Sequence, residues 1–143
     1  MPNQYTGPNI KPLNVATRKN RHLLTVALTG CYYGECHKLA KTRDLAAGQF
    51  LYVVPHNDNS HDKFAIGVYV VDTDGVHSHN GTRVSRLGWI SNKGLEDQTQ
   101  KLLLWKMLTV GIRVEGKLMS LTTSVDDKIN WANVEIKLAE EFA

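Results

Sequence analysis

Apolar residues first become periodic at His22. Before it, MPNQYTGPNIKPLNVATRKN carries three prolines and no recurring apolar position, so residues 1–21 are expected to form an extended or disordered arm with a basic end, Arg18, Lys19 and Arg21. Residues 22–140 then read as one domain of short strands. HLLTVALTG is a strand ending at Gly30, and CYYGECHKLAKTRDLAAG is a connection with one short helix. QFLYVVP is a strand expected to stop at Pro55, since proline cannot donate to a central ladder. KFAIGVYVVD is another strand, followed by two turn signals, Asp74-Gly75 and Asn80-Gly81. SRLGWIS is a short strand. NKGLEDQTQKLLLWKML is the one clear helix: Leu95, Leu102, Leu103 and Met107 share a face, and Glu96 and Asp97 suit its first turn. TVGIRVEGKLMSL and NWANVEIKLAE are long strands separated by TTSVDD.

About six strands, one helix and no α/β alternation point to a mainly β fold. The natural packing solution is a small six-stranded antiparallel barrel of the OB or SH3-like kind, with the helix packed against it. At 143 residues and 42% hydrophobic content the chain suits one compact domain. No apolar run approaches the roughly 20 residues that cross a bilayer, so no membrane partner is expected. The first twenty residues lack the apolar core of a secretion signal, and two cysteines make no disulfide framework, so a reducing, cytoplasmic setting is expected. Net charge is +3, unevenly placed: residues 1–50 hold seven Lys/Arg against two acids, a net of +5, while residues 51–143 hold ten against twelve, a net of −2. The first third would therefore steer an anionic partner.

Three islands, TGCYYG, VVPHNDNSHDKFAIGVYV and RLGWIS, occur in an order and spacing that resemble the HIRAN domain, a module of chromatin-remodelling ATPases that also occurs as stand-alone bacterial and viral proteins. The tandem tyrosine, the approach Leu45-Ala46-Ala47-Gly48, the series Asp62, Ala65, Ile66, Val68, and Leu87-Gly88-Trp89-Ile90 carry the resemblance, which covers roughly residues 22–138. It implies a modified oligonucleotide-binding barrel that captures the 3′-hydroxyl end of single-stranded DNA. By position, Tyr32 and Tyr33 would stack on the terminal base and Asp62 would accept a hydrogen bond from the terminal hydroxyl. Asn57 or Asn59 would hold the last phosphate and sugar. His61 stands where the family has an aromatic, Cys31 where it often has a basic residue and Phe64 where it has asparagine.

The residues themselves leave competing readings open. On an alternating strand one tyrosine of an adjacent pair faces inward, so one of the two is expected in the core, and the alignment favours Tyr32 as the exposed one. Asp62 is either an acceptor for a hydroxyl or a loop-closing aspartate that bonds its own backbone two residues on. Arg86, Lys93, Lys38, Lys41 and Arg43 join the arm's cations as candidate phosphate contacts. Trp89 is a second stacking surface or packs under the helix, and Trp105 and Trp131 are expected in the core. Cys31, Cys36, His37, His77 and His79 offer only one pair with zinc-like spacing, so no metal or other cofactor is expected. Glu135-Ile136-Lys137 with Asp126 and Asp127 has the acid-x-lysine spacing of metal-dependent nucleases, but an outward polar stripe on a strand explains it equally.

The sequence thus predicts a non-catalytic module that holds single-stranded DNA at a free 3′ end. The alternative is a protein-interaction or decoy module that keeps the barrel and has lost DNA binding, which His61, Cys31 and Phe64 favour. A nuclease ranks third.

Overall fold

The computed structural model describes residues 23–56, 58–59, 62–90 and 98–138. Its strands are β1 (Leu23–Thr29), β2 (Phe50–His56), β3 (Ala65–Val71), β4 (His77–His79), β5 (Thr82–Ile90), β6 (Val114–Thr123) and β7 (Ile129–Leu138). They form one antiparallel sheet in the order β1-β7-β6-β2-β3-β5-β4, and a further β1–β5 pairing closes six of the seven strands into a ring. The expected six strands and helix correspond to this ring, with β4 an addition at its margin.

Closure depends on two strands that serve both halves of the ring. Residues Leu23–Ala27 of β1 pair with β7, and Leu28 and Thr29 pair with β5. Phe50 and Leu51 of β2 pair with β6, and Tyr52–His56 pair with β3. Pro55 does not end β2, because at that position β3 is the strand's one partner and Pro55 lies opposite Ile66. A missing N–H is tolerated where one edge has no ladder to join.

The interior is filled by period-two alternation. Val26 and Leu28 from β1, Ile66, Val68 and Val70 from β3, and Val134 and Ile136 from β7 are all at most 1% exposed. A helix, α2 (Gln98–Thr109), adds Leu103, Leu104 and Met107 to the same core. Leu102 is only half-buried, and Leu95, Glu96 and Asp97 lie outside the described residues. Gly111, at φ 91°, ends the helix, with Ile112 N–H bonding to Met107 C=O at 3.0 Å. For that reason β6 begins at Val114 and not at the expected Thr109.

The Asn-Gly signal is a two-residue hairpin turn: Asn80 (φ 51°) and Gly81 (φ 83°) join His79 to its register partner Thr82. The two tryptophans expected in the core divide. Trp131 is 49% exposed on the outer side of β7, whose phase is set by Ala132 and Val134 facing in. Trp105, half-buried, packs against the core and meets Phe64 edge-on at 5.1 Å.

Candidate nucleic-acid interface

Tyr32 and Tyr33 sit not on a strand but on a short 3₁₀ turn, Cys31–Tyr33, entered through Gly30 in the left-handed region (φ 74°). Strand alternation therefore does not apply, and neither ring is core. Cys31 points inward at 3% exposure, while Tyr32 is 40% and Tyr33 82% exposed. The rings meet edge-on at 5.3 Å.

The turn is anchored by residues that sequence reading did not assign to it. A second short helix, α1 (His37–Lys41), follows the turn, and its first residue does the clamping. The Ile129 N–H donates to His37 Nδ1 at 2.9 Å, which makes Nε2 the protonated nitrogen, and Nε2–H donates to the Tyr32 carbonyl at 2.9 Å. The Tyr32 hydroxyl donates to Asp126 Oδ2 at 3.0 Å, and the Lys128 ammonium lies 5.1 Å from the Tyr32 ring centre. Asp126 raises the Tyr32 hydroxyl's pKa, while the Ser124 hydroxyl and then Tyr32 hold Asp126 below the usual carboxylate range. An exposed pair of rings with a fixed backbone and a cation beside it can stack on planar groups with little ordering cost.

Asp62 lies in the β2–β3 connection. Its Oδ1 accepts the Phe64 N–H at 2.9 Å, and the Asn59 side chain accepts the Asp62 N–H at 3.1 Å, so the loop-closing role is realised. Its Oδ2 accepts from the ammonium of Lys101, which reaches from α2 with 7% of its side chain exposed. Burial alone pushes Asp62 up, but the Lys101 ammonium and the Phe64 N–H outweigh it and the net shift is downward. Lys101 also cancels the charge that would otherwise repel a phosphate. Each carboxylate oxygen keeps a second lone pair, so a hydroxyl can still be accepted at the exposed side.

Trp89 and Arg86 reach the outer face of the sheet through a bulge. Gly67 pairs with Trp89 and Val68 with Gly88, yet Tyr69 pairs with Arg86, which leaves Leu87 as an extra residue on β5. Leu87 and Ile90 thereby point inward at 0% and 2% exposure, and Arg86 and Trp89 share the outside, guanidinium to ring centre 5.3 Å. Trp89 is not under the helix. A Cβ placed on Gly30 would lie 3.3 Å from its ring, so the tyrosine turn runs directly beside it. Behind Arg86, Glu35 accepts the Arg86 N–H at 2.7 Å and bonds His77 Nε2 at 2.8 Å.

The backbone of the tyrosine turn thus runs beside Trp89 and Arg86, through Gly30 and Glu35, while the Tyr32 ring itself faces Asp126 and Lys128. Asn59 and Asp62 form a separate neighbourhood with Lys101, and among the described residues no hydrogen bond or ring contact joins Asp62 to either tyrosine. Asn57, His61 and Lys93 lie outside the described residues, as do Arg18, Lys19 and Arg21. Lys41 pairs with Asp127 at 3.5 Å, and both are exposed.

The other sequence candidates are dispersed. Among the described residues no three His, Cys, Asp or Glu side chains are grouped to hold a metal ion. Burial raises the Cys31 thiol to about 11 and the Cys36 thiol to about 12. Glu135 and Lys137 flank the fully buried Ile136 on the opposite face of β7, and Lys137 meets Glu115 at 3.8 Å. Asp126 and Asp127 belong to the turn before β7, and Ile129 to Glu135 alone spans about 20 Å of strand. The carboxylates do not converge. No helix among the described residues is long and apolar enough to cross a membrane.

A closed antiparallel ring of short strands is one of the ways a small β fold removes its exposed sheet edges. Within this class, the chain has a HIRAN-like fold. The HIRAN domain of human HLTF superposes with a TM-score of 0.51 at 14% identity, over 83% of this chain and 78% of that one. A protein from Lactobacillus plantarum superposes with a TM-score of 0.50 at 17% identity, over 80% of this chain and 96% of that one. No family model and no curated protein sequence matches the chain.

Proposed function

We propose that this chain is a non-catalytic module that holds single-stranded DNA, at a free 3′-hydroxyl end. The observation that carries the reading is the tyrosine pair: two exposed rings on a turn that His37 ties to the start of β7, beside Lys128, on a HIRAN-like fold. Base–aromatic stacking contributes about 1–3 kcal/mol per base and tolerates any sequence. In this reading Asp62, its charge balanced by Lys101, accepts the terminal hydroxyl and Asn59 beside it holds the last sugar, so that the terminal nucleotide bridges the two neighbourhoods.

The test is end chemistry. A labelled oligonucleotide ending in a 3′-hydroxyl should bind more tightly than the same strand ending in a 3′-phosphate, and Asp62→Ala should abolish the difference while Tyr33→Ala weakens both. Equal binding of the two ends would reduce the reading to generic strand affinity.

A second reading, a protein-interaction module on the same fold, draws on Cys31 and Phe64. At positions where the family carries ligand residues, Cys31 is buried and Phe64 packs on Trp105. Absence of binding to either oligonucleotide at moderate salt would favour it.

A further inference from the structure

The outer face beyond Trp89 carries an aromatic row that the terminal-nucleotide reading does not use. The His56 ring lies 5.2 Å from Trp89 and 5.8 Å from Tyr69, and Tyr69 lies 5.6 Å from His77. Gly67 makes this row continuous: a Cβ there would fall 2.8 Å from the Tyr69 ring and 3.1 Å from His56 Nε2. Without a side chain at that position, His56 reaches across β3 to Trp89. The Tyr69 hydroxyl and His56 Nε2 are 2.9 Å apart, which fixes both rings.

The row ends in a cavity of about 380 Å³ between β2, β3 and the β4–β5 hairpin, bordered by His56, Tyr69, His77, His79 and Val76. Tyr52 packs on His79 at its margin, ring centres 4.8 Å apart. This volume is at the small end for ligand sites, about 300–1,000 Å³, and suits one nucleoside, not a folded segment. The nearby charges decide which part of a nucleotide it takes. Glu35 stands behind His77, and Asp58 lies 3.7 Å from His56 Nδ1. The Arg86 guanidinium, which acts on Tyr69 from the Trp89 side, is the cation there; two carboxylates against one guanidinium disfavour a phosphate, whereas aromatic faces and imidazole donors and acceptors suit the flat face and polar edge of a base.

We infer that this cavity is an internal base subsite: the bound strand continues from the tyrosine turn over Trp89 and places an upstream nucleobase against His77 and His79, with Tyr69, only 6% exposed, lining the cavity beside them. This rests on the single-strand reading above and extends it from an end-binder to a module with a track several nucleotides long.

The experiment compares a dinucleotide with an oligothymidylate six nucleotides long, both ending in a 3′-hydroxyl, on the full chain. Anisotropy gives affinity, and NMR follows the imidazole Cε1–H signals of His56, His77 and His79. The hexamer should bind about 5- to 150-fold more tightly, the worth of one stacked base, and should shift those signals. The dinucleotide should leave the His77 and His79 signals in place. Val76→Tyr, at a position 77% exposed and therefore safe for folding, should close the mouth and remove the hexamer's advantage without changing dinucleotide affinity. Hexamer binding with unmoved His77 and His79 signals, or a hexamer advantage that survives Val76→Tyr, would overturn the subsite and leave end binding standing. No binding of either oligonucleotide would overturn both.

Discussion

Lys101 and Asp62 are joined across the gap between α2 and the β2–β3 connection, the lysine almost wholly buried and the aspartate 38% exposed at its side chain. The pair is asymmetric, so its two halves should not cost the same to remove. Asp62→Asn leaves a buried ammonium without its counter-ion, whereas Lys101→Met leaves a carboxylate that water can still reach. We predict a loss of about 3 kcal/mol for the first and about 1–2 kcal/mol for the second, measured by urea unfolding. Equal losses would mean that Lys101 is better hydrated than its burial implies.

Acid should weaken the fold through two carboxylates. Burial pushes both Asp62 and Glu35 upward, but Lys101 and the Phe64 N–H at the first, and the Arg86 N–H and His77 at the second, bring the net shift down. A depressed folded pKa means stability that is present above the unfolded value, about 3.9 for Asp and 4.3 for Glu, and is lost as pH falls through the folded value. Thermal midpoints should therefore decline below about pH 4, and the decline should be shallower in Glu35→Gln. A pH profile identical to the wild type in that variant would count against the Glu35 contribution.

Both thiols should be silent in the native state. With Cys31 raised to about 11 and Cys36 to about 12, almost no thiolate exists at pH 8, and both sulfurs are covered. Labelling with a disulfide reagent should be slow in buffer and rapid for two thiols in denaturant. Fast labelling of either under native conditions would contradict the packing of the tyrosine turn.

Arg43 follows the C-terminus of α1 with φ 65°, a backbone conformation that favours glycine. Relief of that strain exceeds the extra chain entropy of glycine, so Arg43→Gly should raise stability by about 0.5–1 kcal/mol. A destabilised variant would show that the arginine side chain makes a compensating contact.

Tyr33 and Tyr32 should separate binding from anchoring. Tyr33→Ala removes a ring that supports nothing beneath it, so oligonucleotide affinity should drop about 5-fold or more with the melting temperature unchanged. Tyr32→Phe loses only the bond to Asp126, and affinity should stay within about 2-fold. The reverse ranking in anisotropy would relocate the stacking surface.

Much of the fold was legible as periodicity. The alternation in KFAIGVYVVD and NWANVEIKLAE follows from one face packing inward, and Asn80-Gly81 marks its hairpin because both residues must take positive φ. The candidate site was legible in part. A lysine at position 101, one turn from Leu104 on an apolar helix face, was a signal for a buried partner, and Tyr52, His56 and Tyr69 fall on the outward phase of their strands. His37 and Lys128 gave no such sign, since nothing local says that a loop histidine will bridge a tyrosine turn to the start of β7.

By itself the chain's order of polar and apolar residues determined which segments are strands, which faces of them are buried and where two of the turns fall, because these depend on contacts between near neighbours. Only the tertiary structure decided that both tyrosines face outward, that Leu87 is an extra residue turning Trp89 and Arg86 to one side, and that Asp62 is matched to Lys101. Those outcomes rest on register between strands and on side chains far apart in sequence, whose meeting is fixed when the ring closes.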